Sequence, residues 1–289
     1  MVGLYDVDGK IPNLALMKIS TACKSLGEGV EWYIKEQHSK YSTIYASKIF
    51  TFSSGNITDD MIIGGSGISL TERLPDVIDN QFPDYSLYPF LDYSVGQLTR
   101  GCPRGCPFCI VSKKDGNVSK HIAELHNFHR PSHDKIMLLD SNILANEHNI
   151  AHLHALISCK KKICFSQGVD ARLITDEIAL LLSKIKIWKQ ITIAWDMEKD
   201  EQDILCGISV LLKYVKPYKI QCFVLIGFNT TEEYDLYRIR KLREYKIDPY
   251  IMSFKRESDS KEKTRYMNKL ERWINSRRLR NVTWEQYNK

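Results

Sequence analysis

The sequence predicts an α/β fold in two domains. Short apolar runs typical of strands alternate with amphipathic stretches typical of helices, and this order implies parallel sheets covered by helices. An irregular segment rich in aromatic residues and proline, residues 81–91, separates a short N-terminal series from a longer second series. We therefore predict an N-terminal domain at 1–85, a second domain at 86–255 and a C-terminal segment at 256–289.

The N-terminal domain is predicted to hold short strands and one long helix. Strand-like runs occur at residues 1–5, 30–34, 43–46, 49–52 and 61–63. The helix is predicted to begin near Asn13 and to end at Gly27, and its spacing places four apolar residues on one face: Ala15, Ile19, Ala22 and Leu26. The last strand opens into Gly64-Gly65-Ser66-Gly67, which we interpret as a strand-to-helix turn.

The second domain is predicted to be a partial barrel. Six strand-like runs recur at residues 93–98, 135–139, 162–165, 190–195, 219–226 and 249–254, with helical stretches between them at 176–185, 201–214 and 231–245. Six β/α units are too few for a closed eight-stranded barrel, so we expect a curved, partly open (β/α)6 arrangement of the TIM type. Beyond it, a final helix is predicted from apolar residues at helical spacing: Tyr266, Leu270, Trp273 and Ile274.

Composition narrows the functional classes. The chain has 289 residues and a net charge of +6, and residues 255–289 contribute eleven basic against five acidic side chains. Such a tail attracts nucleic acid, although a solvated helix face is the commoner explanation. In the helical interpretation, Arg277, Arg278 and Arg280 stay exposed. The first residues lack the pattern of a signal peptide and no apolar run could span a bilayer, so a cytoplasmic protein is expected.

Three of the eight cysteines form one motif, Thr99-Arg-Gly-Cys102-Pro-Arg-Gly-Cys106-Pro-Phe-Cys109, directly after the first strand of the second domain. The other five are scattered, and their expected role is core packing: Cys23, Cys159, Cys164, Cys206 and Cys222. Three thiolates on one loop bind three irons of a [4Fe–4S] cluster and leave the fourth iron open to another ligand. Gly101 and Gly105 allow the backbone to fold tightly around such a core.

This motif resembles that of the radical S-adenosylmethionine superfamily, down to Phe108 before the third cysteine, and the similarity extends over about residues 93–254. The resemblance implies that S-adenosylmethionine chelates the open iron and that reductive cleavage releases a 5′-deoxyadenosyl radical, which abstracts hydrogen from a substrate. It also implies a reducing partner such as flavodoxin or ferredoxin. The substrate, whether a small molecule, a peptide or a nucleic acid, is not identified by the motif.

The same resemblance implies cofactor-binding residues after the later strands. Asp140 corresponds to the position that binds the amino group of the cofactor, and capping of the following helix is the alternative. Gln167, Asp170 and Arg172 are predicted to line the pocket, although Asp170 and Arg172 are equally suited to an ion pair. Asp196 follows the fourth strand and contacts cofactor or substrate, or caps a loop.

The fifth unit resembles the strand and glycine turn that support the adenine of the cofactor. Gly227 would permit its close approach. Thr230 or Thr231, followed by Glu233, suits the start of the next helix. Maintenance of the fold alone explains these residues equally well.

The alternative interpretation of the motif is a structural zinc site in a nucleic-acid-binding protein. The fourth ligand would then be one of His121, His126, His129 and His133. Zinc cysteines usually occur as two separated pairs, whereas this motif is a single loop at the carboxyl end of a strand, where barrel enzymes place their active sites. The radical interpretation is therefore favoured.

The N-terminal domain resembles the cobalamin-domain-like region of uncharacterised radical enzymes and is expected to be flavodoxin-like or Rossmann-like. The cobalt-binding signature D-x-H-x-x-G is absent, since the matching segment reads Asp6-Val7-Asp8-Gly9-Lys10. The glycine-rich turn remains a candidate cradle for cobalamin, but a degenerate domain used for docking or scaffolding is favoured. Methylthiolation is disfavoured because a second cluster needs three more cysteines and this domain contains only Cys23.

Overall fold

The structure is a computed structural model that describes residues 1–9, 11–276 and 282–288. Its contacts divide the chain into two compact units, Met1–Leu139 (unit 1) and Asp140–Lys289 (unit 2). Each unit mixes helices with a parallel sheet, as an α/β fold requires. The domain boundaries predicted after residues 85 and 255 stay predictions. In the described ranges, no helix is long and apolar enough to cross a bilayer.

Unit 1 contains a four-stranded parallel sheet. Its strands are β1 (Val2–Asp6), β2 (Val30–Trp32), β3 (Thr43–Ser47) and β4 (Ile62–Gly64), in the order β2-β1-β3-β4. Helix α1 (Leu14–Ser25) begins at Asn13, whose side chain accepts a hydrogen bond from the Leu16 amide. These elements confirm four of the five predicted strands and the predicted helix.

The remainder of unit 1 carries a second parallel pair. Strand β5 (Tyr93–Gly96) pairs with β8 (Lys135–Leu138), so that Gly96 lies opposite Leu138. Between them, β6 (Thr99–Arg100) and β7 (Lys120–His121) form a short antiparallel pair. The short helices are α2 (Asp76–Asp79) and α3 (Val111–Asp115).

The predicted strand at residues 49–52 is wrong. The amides of Ile49 and Phe50 donate to the carboxylate of Asp8 instead of to a neighbouring strand. A turn follows, in which the Ser53 amide donates to the Phe50 carbonyl at 3.2 Å. Phe50 and Phe52 stack with their ring centroids 5.2 Å apart, and both are exposed. The alternation of apolar residues here reflects a surface aromatic pair rather than a half-buried strand.

The predicted face of α1 is displaced. Its buried residues are Leu16, Met17, Ile19, Ser20 and Cys23, whereas Leu26 is 80% exposed and lies beyond the helix. The inward face includes a polar residue because the Ser20 hydroxyl donates to Asp84 at 2.6 Å. A pattern of apolar residues alone cannot locate a face that is partly polar.

The glycine-rich turn does not lead into a helix, contrary to prediction, since the next helix begins only at Asp76. Gly65 and Gly67 of this turn lie against the backbone of the preceding loop. A Cβ on Gly65 would lie 2.3 Å from the Lys48 carbonyl oxygen, and one on Gly67 would lie 2.7 Å from that of Phe50. Close backbone packing therefore explains these glycines.

Unit 2 alternates strands and helices in the predicted order. Its strands are β9 (Lys162–Phe165), β10 (Ile191–Ala194), β11 (Ile220–Ile226) and β12 (Asp248–Ser253). Its helices are α4 (Asn149–Ser158), α5 (Asp176–Lys184), α6 (Glu201–Leu212), α7 (Glu232–Glu244), α8 (Lys261–Asn275) and α9 (Trp284–Tyr287).

Strands β10, β11 and β12 form a parallel sheet in chain order. The turn after β9 is joined to β10 by a hydrogen bond from the Val169 amide to the Thr192 carbonyl at 2.8 Å. The predicted strands and the helices α5, α6 and α7 are thus confirmed, as is the C-terminal helix, which buries Leu270, Trp273 and Ile274 together with Met267. Helix α4 was not predicted. Arg277, Arg278 and Arg280, predicted to be exposed, lie outside the described residues.

Core packing holds for three of the five scattered cysteines. Cys23, Cys164 and Cys222 are buried, but Cys159 is only partly buried and Cys206 is exposed on α6. Cys206 is exposed because the buried face of that helix is formed by Ile204, Gly207, Ile208 and Leu211.

Helix α6 packs on unit 2 through Gly207. A Cβ at this position would lie 1.8 Å from the carbonyl oxygen of Ala171. We expect Gly207→Ala to lower the free energy of unfolding by about 1–3 kcal/mol, because the backbone at Ala171 or at α6 must move to admit the methyl group. This cost exceeds the gain from the higher helix propensity of alanine. Urea unfolding measures the change. Ser209→Ala, on the exposed side of the same helix, is the matched control and should be nearly neutral; equal stability of the two variants would contradict this packing.

Candidate functional site

The cysteine motif lies on a loop that is closed at its base. The loop leaves β6 at Gly101, passes through α3 and returns to β7, and Thr99 of β6 lies opposite His121 of β7. Thr99 is fully buried, and the Ile122 amide donates to the Leu98 carbonyl at 2.8 Å. The paired strands therefore hold both ends of the loop on the core of unit 1.

The loop backbone requires glycine at one point. Gly101 has φ +98°, and a Cβ there would lie 2.2 Å from the Val118 carbonyl oxygen. The next amide, that of Cys102, donates to the Gly116 carbonyl at 3.1 Å. The two sides of the loop thus approach too closely to admit a side chain at position 101. Gly105 has φ +57° but faces open space, so only its left-handed conformation favours glycine.

A turn connects the second and third cysteines. The Cys109 amide donates to the Cys106 carbonyl at 3.0 Å, and Pro107 and Phe108 occupy the two central positions. Proline suits the first of these positions because its ring presets φ. The Val111 amide lies 3.5 Å from the Cys109 sulfur, to which it donates.

The three thiols fit an iron–sulfur cluster by donor type. Cys102, Cys106 and Cys109 are partly exposed, and all eight cysteines of the chain are thiols rather than disulfides. In the described part of the chain, no three His, Cys, Asp or Glu side chains are arranged as a metal-binding group. The fit to an iron–sulfur cluster therefore rests on donor chemistry: one loop, whose conformation is set by glycines and prolines, carries three thiols.

Two of the nearby histidines make contacts inside unit 1. His133 is buried, with Nδ1 3.2 Å from the Ser94 hydroxyl, and burial lowers the pKa of its ring. The Nε2 atom of His129 lies 3.1 Å from the His133 carbonyl. His121 is exposed and lies 3.4 Å from Glu124, and His126 is also exposed.

A polar cavity of about 420 Å³ lies next to the loop in unit 1. In its wall, Asp79 accepts hydrogen bonds from Arg100 at 2.8 Å and from Lys18 at 2.9 Å. Burial alone would raise the pKa of Asp79, but these two cations hold it below its usual value. Arg100 lies two residues before Cys102, so this ion-pair network anchors the start of the cysteine loop. No sequence motif predicts this network, because Lys18, Asp79 and Arg100 are far apart in the chain.

In unit 2, the predicted residues Asp170 and Arg172 form an ion pair. Arg172 donates to the two Asp170 oxygens at 2.7 and 3.1 Å, and to Asp200 at 2.5 Å. The Asn142 side chain donates to Asp170 at 3.2 Å. The bidentate geometry fixes the Asp170 carboxylate at the start of a tight turn. Of the two predicted alternatives, the ion pair is therefore observed.

The other predicted residues near these strand ends differ in exposure. Asp140 is buried, at 3% exposure, although it was predicted to bind the cofactor or to cap a helix. Gln167 is exposed in the turn after β9, where the Gly168 amide donates to the Phe165 carbonyl at 3.1 Å.

Asp196 follows β10 and accepts a hydrogen bond from the Leu225 amide at 3.1 Å. Burial raises its pKa to about 6, although this hydrogen bond and the charges of Arg238 and Arg172 act in the opposite direction. A carboxyl group with a pKa near neutrality can exchange protons at physiological pH, as acid–base groups do. Asp196 is thus a predicted site residue that the structure gives the pKa of an acid–base group.

A fully buried arginine supports this part of unit 2. Arg238 donates to Asp235 at 2.5 Å, to the Trp195 carbonyl at 2.6 Å and to the Leu225 carbonyl at 2.9 Å. The Nε atom of Arg238 has no hydrogen-bond partner among the described residues. The arginine thereby joins the ends of β10 and β11, and the Leu225 amide of β11 is the one that donates to Asp196. The i, i+3 spacing of Asp235 and Arg238 on α7 was the available sequence signal.

Gly227 is covered by helix α8. Its φ is +82°, and a Cβ would lie 2.2 Å from the sulfur of Met267. The Gly227 carbonyl accepts a hydrogen bond from Lys263 at 2.9 Å. Packing of α8 therefore requires this glycine. Thr231 caps α7 as predicted, since its hydroxyl accepts from the Tyr234 amide.

The aspartates that match the cobalamin signature stabilise loops of unit 1. Asp6 accepts from the amides of Asp8 and Gly9 at 3.2 and 3.1 Å. Asp8 accepts from Ser53 and from the Ile49 amide, both at 2.5 Å. These contacts give both aspartates a local structural role.

No protein-family model matches the chain, and no curated protein sequence matches it.

The raised pKa of Asp196 predicts a pH dependence of stability. Because the folded pKa of about 6 exceeds the unfolded value of 3.8, ionisation opposes folding, and stability falls as the pH rises between these values. Asp196→Asn keeps the acceptor oxygen but cannot ionise. We compare the free energy of unfolding of this variant with that of wild type at each pH. The variant's value minus the wild-type value should rise by up to about 3 kcal/mol between about pH 4 and pH 7.

Urea unfolding at both pH values measures this difference. Asp203→Asn, an exposed aspartate on α6, is the matched control and should show no such increase. A constant difference between Asp196→Asn and wild type across the pH range would contradict the burial of a neutral carboxyl group.

Proposed function

We propose that this protein is a radical S-adenosylmethionine enzyme in which Cys102, Cys106 and Cys109 hold a [4Fe–4S] cluster. The observation that carries the proposal is the cysteine loop: three thiols lie on one loop that follows β5 and β6, the ends of the loop are tied together, and its backbone excludes a side chain at Gly101. Three cysteine ligands leave one iron of such a cluster available to the cofactor.

When bound, the cluster and S-adenosylmethionine would supply the chemistry: one electron breaks a sulfur–carbon bond of the sulfonium, methionine leaves, and the 5′-deoxyadenosyl radical takes hydrogen from the substrate. The chain supplies three thiolates, which lose their protons on metal binding. The Pro107–Phe108 turn sets the separation of Cys106 from Cys109. The electron comes from a reducing partner such as flavodoxin or ferredoxin.

In this proposal strand β5 and strands β8 to β12 correspond to a partial (β/α)6 barrel, and the N-terminal sheet to a flavodoxin-like domain. Two observations support it: β5 pairs in parallel with β8, and β10, β11 and β12 follow one another in a parallel sheet. Active sites of such barrels lie at the carboxyl ends of the strands. Each of Asp140, Gln167 and Asp196 follows a strand at that end.

Within unit 2 we propose distinct roles for the charged residues. Asp196 would contact the cofactor or substrate, because it follows β10 and its carboxyl group has a pKa near 6. Asp170 and Arg172 would act as positioning residues, since they hold each other and Arg172 also pairs with Asp200. We assign Gly227 to the packing of α8 rather than to cofactor binding, because the sulfur of Met267 occupies the space beside it.

For the N-terminal domain we propose docking or scaffolding rather than cobalamin binding. The space next to Gly65 and Gly67 is filled by the carbonyl groups of Lys48 and Phe50, which leaves no cradle for a ligand on that side of the turn. We propose a cytoplasmic location because eight thiols suit a reducing compartment.

Anaerobic reconstitution with iron and sulfide tests the enzyme proposal. We expect about four irons and about four sulfides per chain. Reduction by dithionite in the presence of S-adenosylmethionine should then yield methionine and 5′-deoxyadenosine in equal amounts. Stoichiometric zinc without sulfide would favour the zinc interpretation instead. An intact cluster that yields no 5′-deoxyadenosine would reject the enzyme while retaining the cluster.

Substitution of single cysteines tests the ligand assignment. Cys106→Ala should keep the thermal midpoint of the metal-free chain within a few degrees of wild type, because this side chain is not a core residue. It should abolish retention of iron and sulfide. Cys206→Ala, an exposed cysteine on α6, is the matched control and should retain both. Iron retention by Cys106→Ala at the wild-type level would remove Cys106 from the ligand set.

A further inference from the structure

The exposed face of α8 carries a row of cations that the proposed enzyme chemistry does not use. Lys261, Arg265, Lys269 and Arg272 recur at spacings of four, four and three residues, which places them on one side of the helix. At a rise of about 1.5 Å per residue, the row extends over about 16 Å. We call these four residues the α8 basic row.

The α8 basic row lines an open groove of about 500 Å³. Thr264, Asn268 and the ring of Tyr287 complete its lining, together with Asp259. The carboxylate of Asp259 accepts from Lys263 at 2.7 Å and from the Arg256 amide at 2.7 Å, and its side chain is only 5% exposed. This acidic residue is therefore engaged elsewhere and does not neutralise the row.

None of the four cations forms an ion pair with an acidic side chain in residues 1–9, 11–276 and 282–288. Three of them are exposed and Lys269 is partly buried, with its ammonium group 3.0 Å from the Asn288 side-chain oxygen. Four uncompensated positive charges within about 16 Å repel one another. A polyanion that lies along the row would relieve this repulsion.

The position of α8, and thus of the groove, is fixed by the buried face on the opposite side of this helix. Met267, Leu270, Trp273 and Ile274 are buried on that side. Helix α9 is fixed beside α8 because the Trp284 ring packs on Trp273, with 5.3 Å between the ring centroids. Tyr287 is thereby placed next to the basic row. An aromatic ring beside a line of cations is the arrangement that single-stranded nucleic acids recognise, since bases stack while phosphates pair with the cations.

We propose that the α8 basic row and Tyr287 form a binding surface for single-stranded nucleic acid, contacted through its phosphate backbone. A membrane surface fits less well, because Met267, Leu270, Trp273 and Ile274 of α8 are buried and cannot insert into lipid. An acidic peptide would use the charges but not the aromatic ring. This surface is independent of the cysteine loop, and its test needs no cofactor.

Fluorescence anisotropy of the full-length chain with a labelled single-stranded oligonucleotide of about 16 nucleotides tests the proposal. Four phosphate contacts predict a plot of log K against log salt with a slope of about −3. The variant Arg265→Gln/Lys269→Gln/Arg272→Gln should have a slope of about −1 and bind on the order of 100-fold more weakly at about 0.1 M salt. RNA and DNA oligonucleotides should show the same salt slope and the same loss of affinity in the variant.

The matched control removes the same number of charges elsewhere in unit 2. Lys199→Gln/Lys216→Gln/Lys219→Gln alters three exposed lysines and should keep both the wild-type slope and the wild-type affinity. Circular dichroism verifies that both triple variants are folded. Equal weakening by the two triple variants would overturn the proposal, because binding would then depend on net charge alone.

Substitution of Tyr287 separates nucleic acid from other polyanions. Tyr287→Leu should weaken oligonucleotide binding by about five-fold or more, since it removes base stacking, and should leave binding of inorganic polyphosphate unchanged. Polyglutamate at equal charge concentration should not displace the oligonucleotide. If polyglutamate or anionic lipid vesicles compete as well as unlabelled oligonucleotide, the surface is not one for nucleic acid and the proposal fails.

Discussion

The close approach of Gly101 to the Val118 carbonyl is the constraint on which the cysteine loop depends. It joins the two sides of the loop at the point where they leave the paired strands β6 and β7, so the loop cannot widen at its base. The Cys102 amide then bonds to Gly116, and the Cys106–Cys109 turn projects from a fixed origin. A side chain at Gly101 would separate the strands before it affected any thiol.

In unit 2, the corresponding structural constraint is the buried charge of Arg238. Arg238 is fully buried, yet it has an acidic partner and two backbone carbonyls as acceptors, so most of its desolvation cost is offset by charge-assisted hydrogen bonds. Because those carbonyls belong to Trp195 and Leu225, the guanidinium ties together two strand ends. The nearby Asp196 carboxyl is less well compensated, which explains the rise in its pKa.

The strand pattern of unit 2 was predictable because buried parallel strands are continuous apolar runs bounded by polar residues. In β11, for example, six of the seven residues from Ile220 to Ile226 are apolar, and four of them are buried. The same criterion failed at residues 49–52, where the carboxylate of Asp8, more than forty positions away in sequence, takes the backbone amides. It also misplaced the inner face of α1, since Ser20 is buried through a contact with the distant Asp84.

By itself, the sequence determined the α/β class, the order of most strands and the grouping of Cys102, Cys106 and Cys109 on one loop, because these follow from local periodicity and short spacing. Only the tertiary structure decided which charged side chains form ion pairs and which face solvent. Arg172 is engaged by Asp170 and Asp200, whereas Arg265 and Arg272 face solvent on α8. The physical reason is that a charge is neutralised by what lies within a few ångströms in space, and for most side chains that neighbour is remote in sequence.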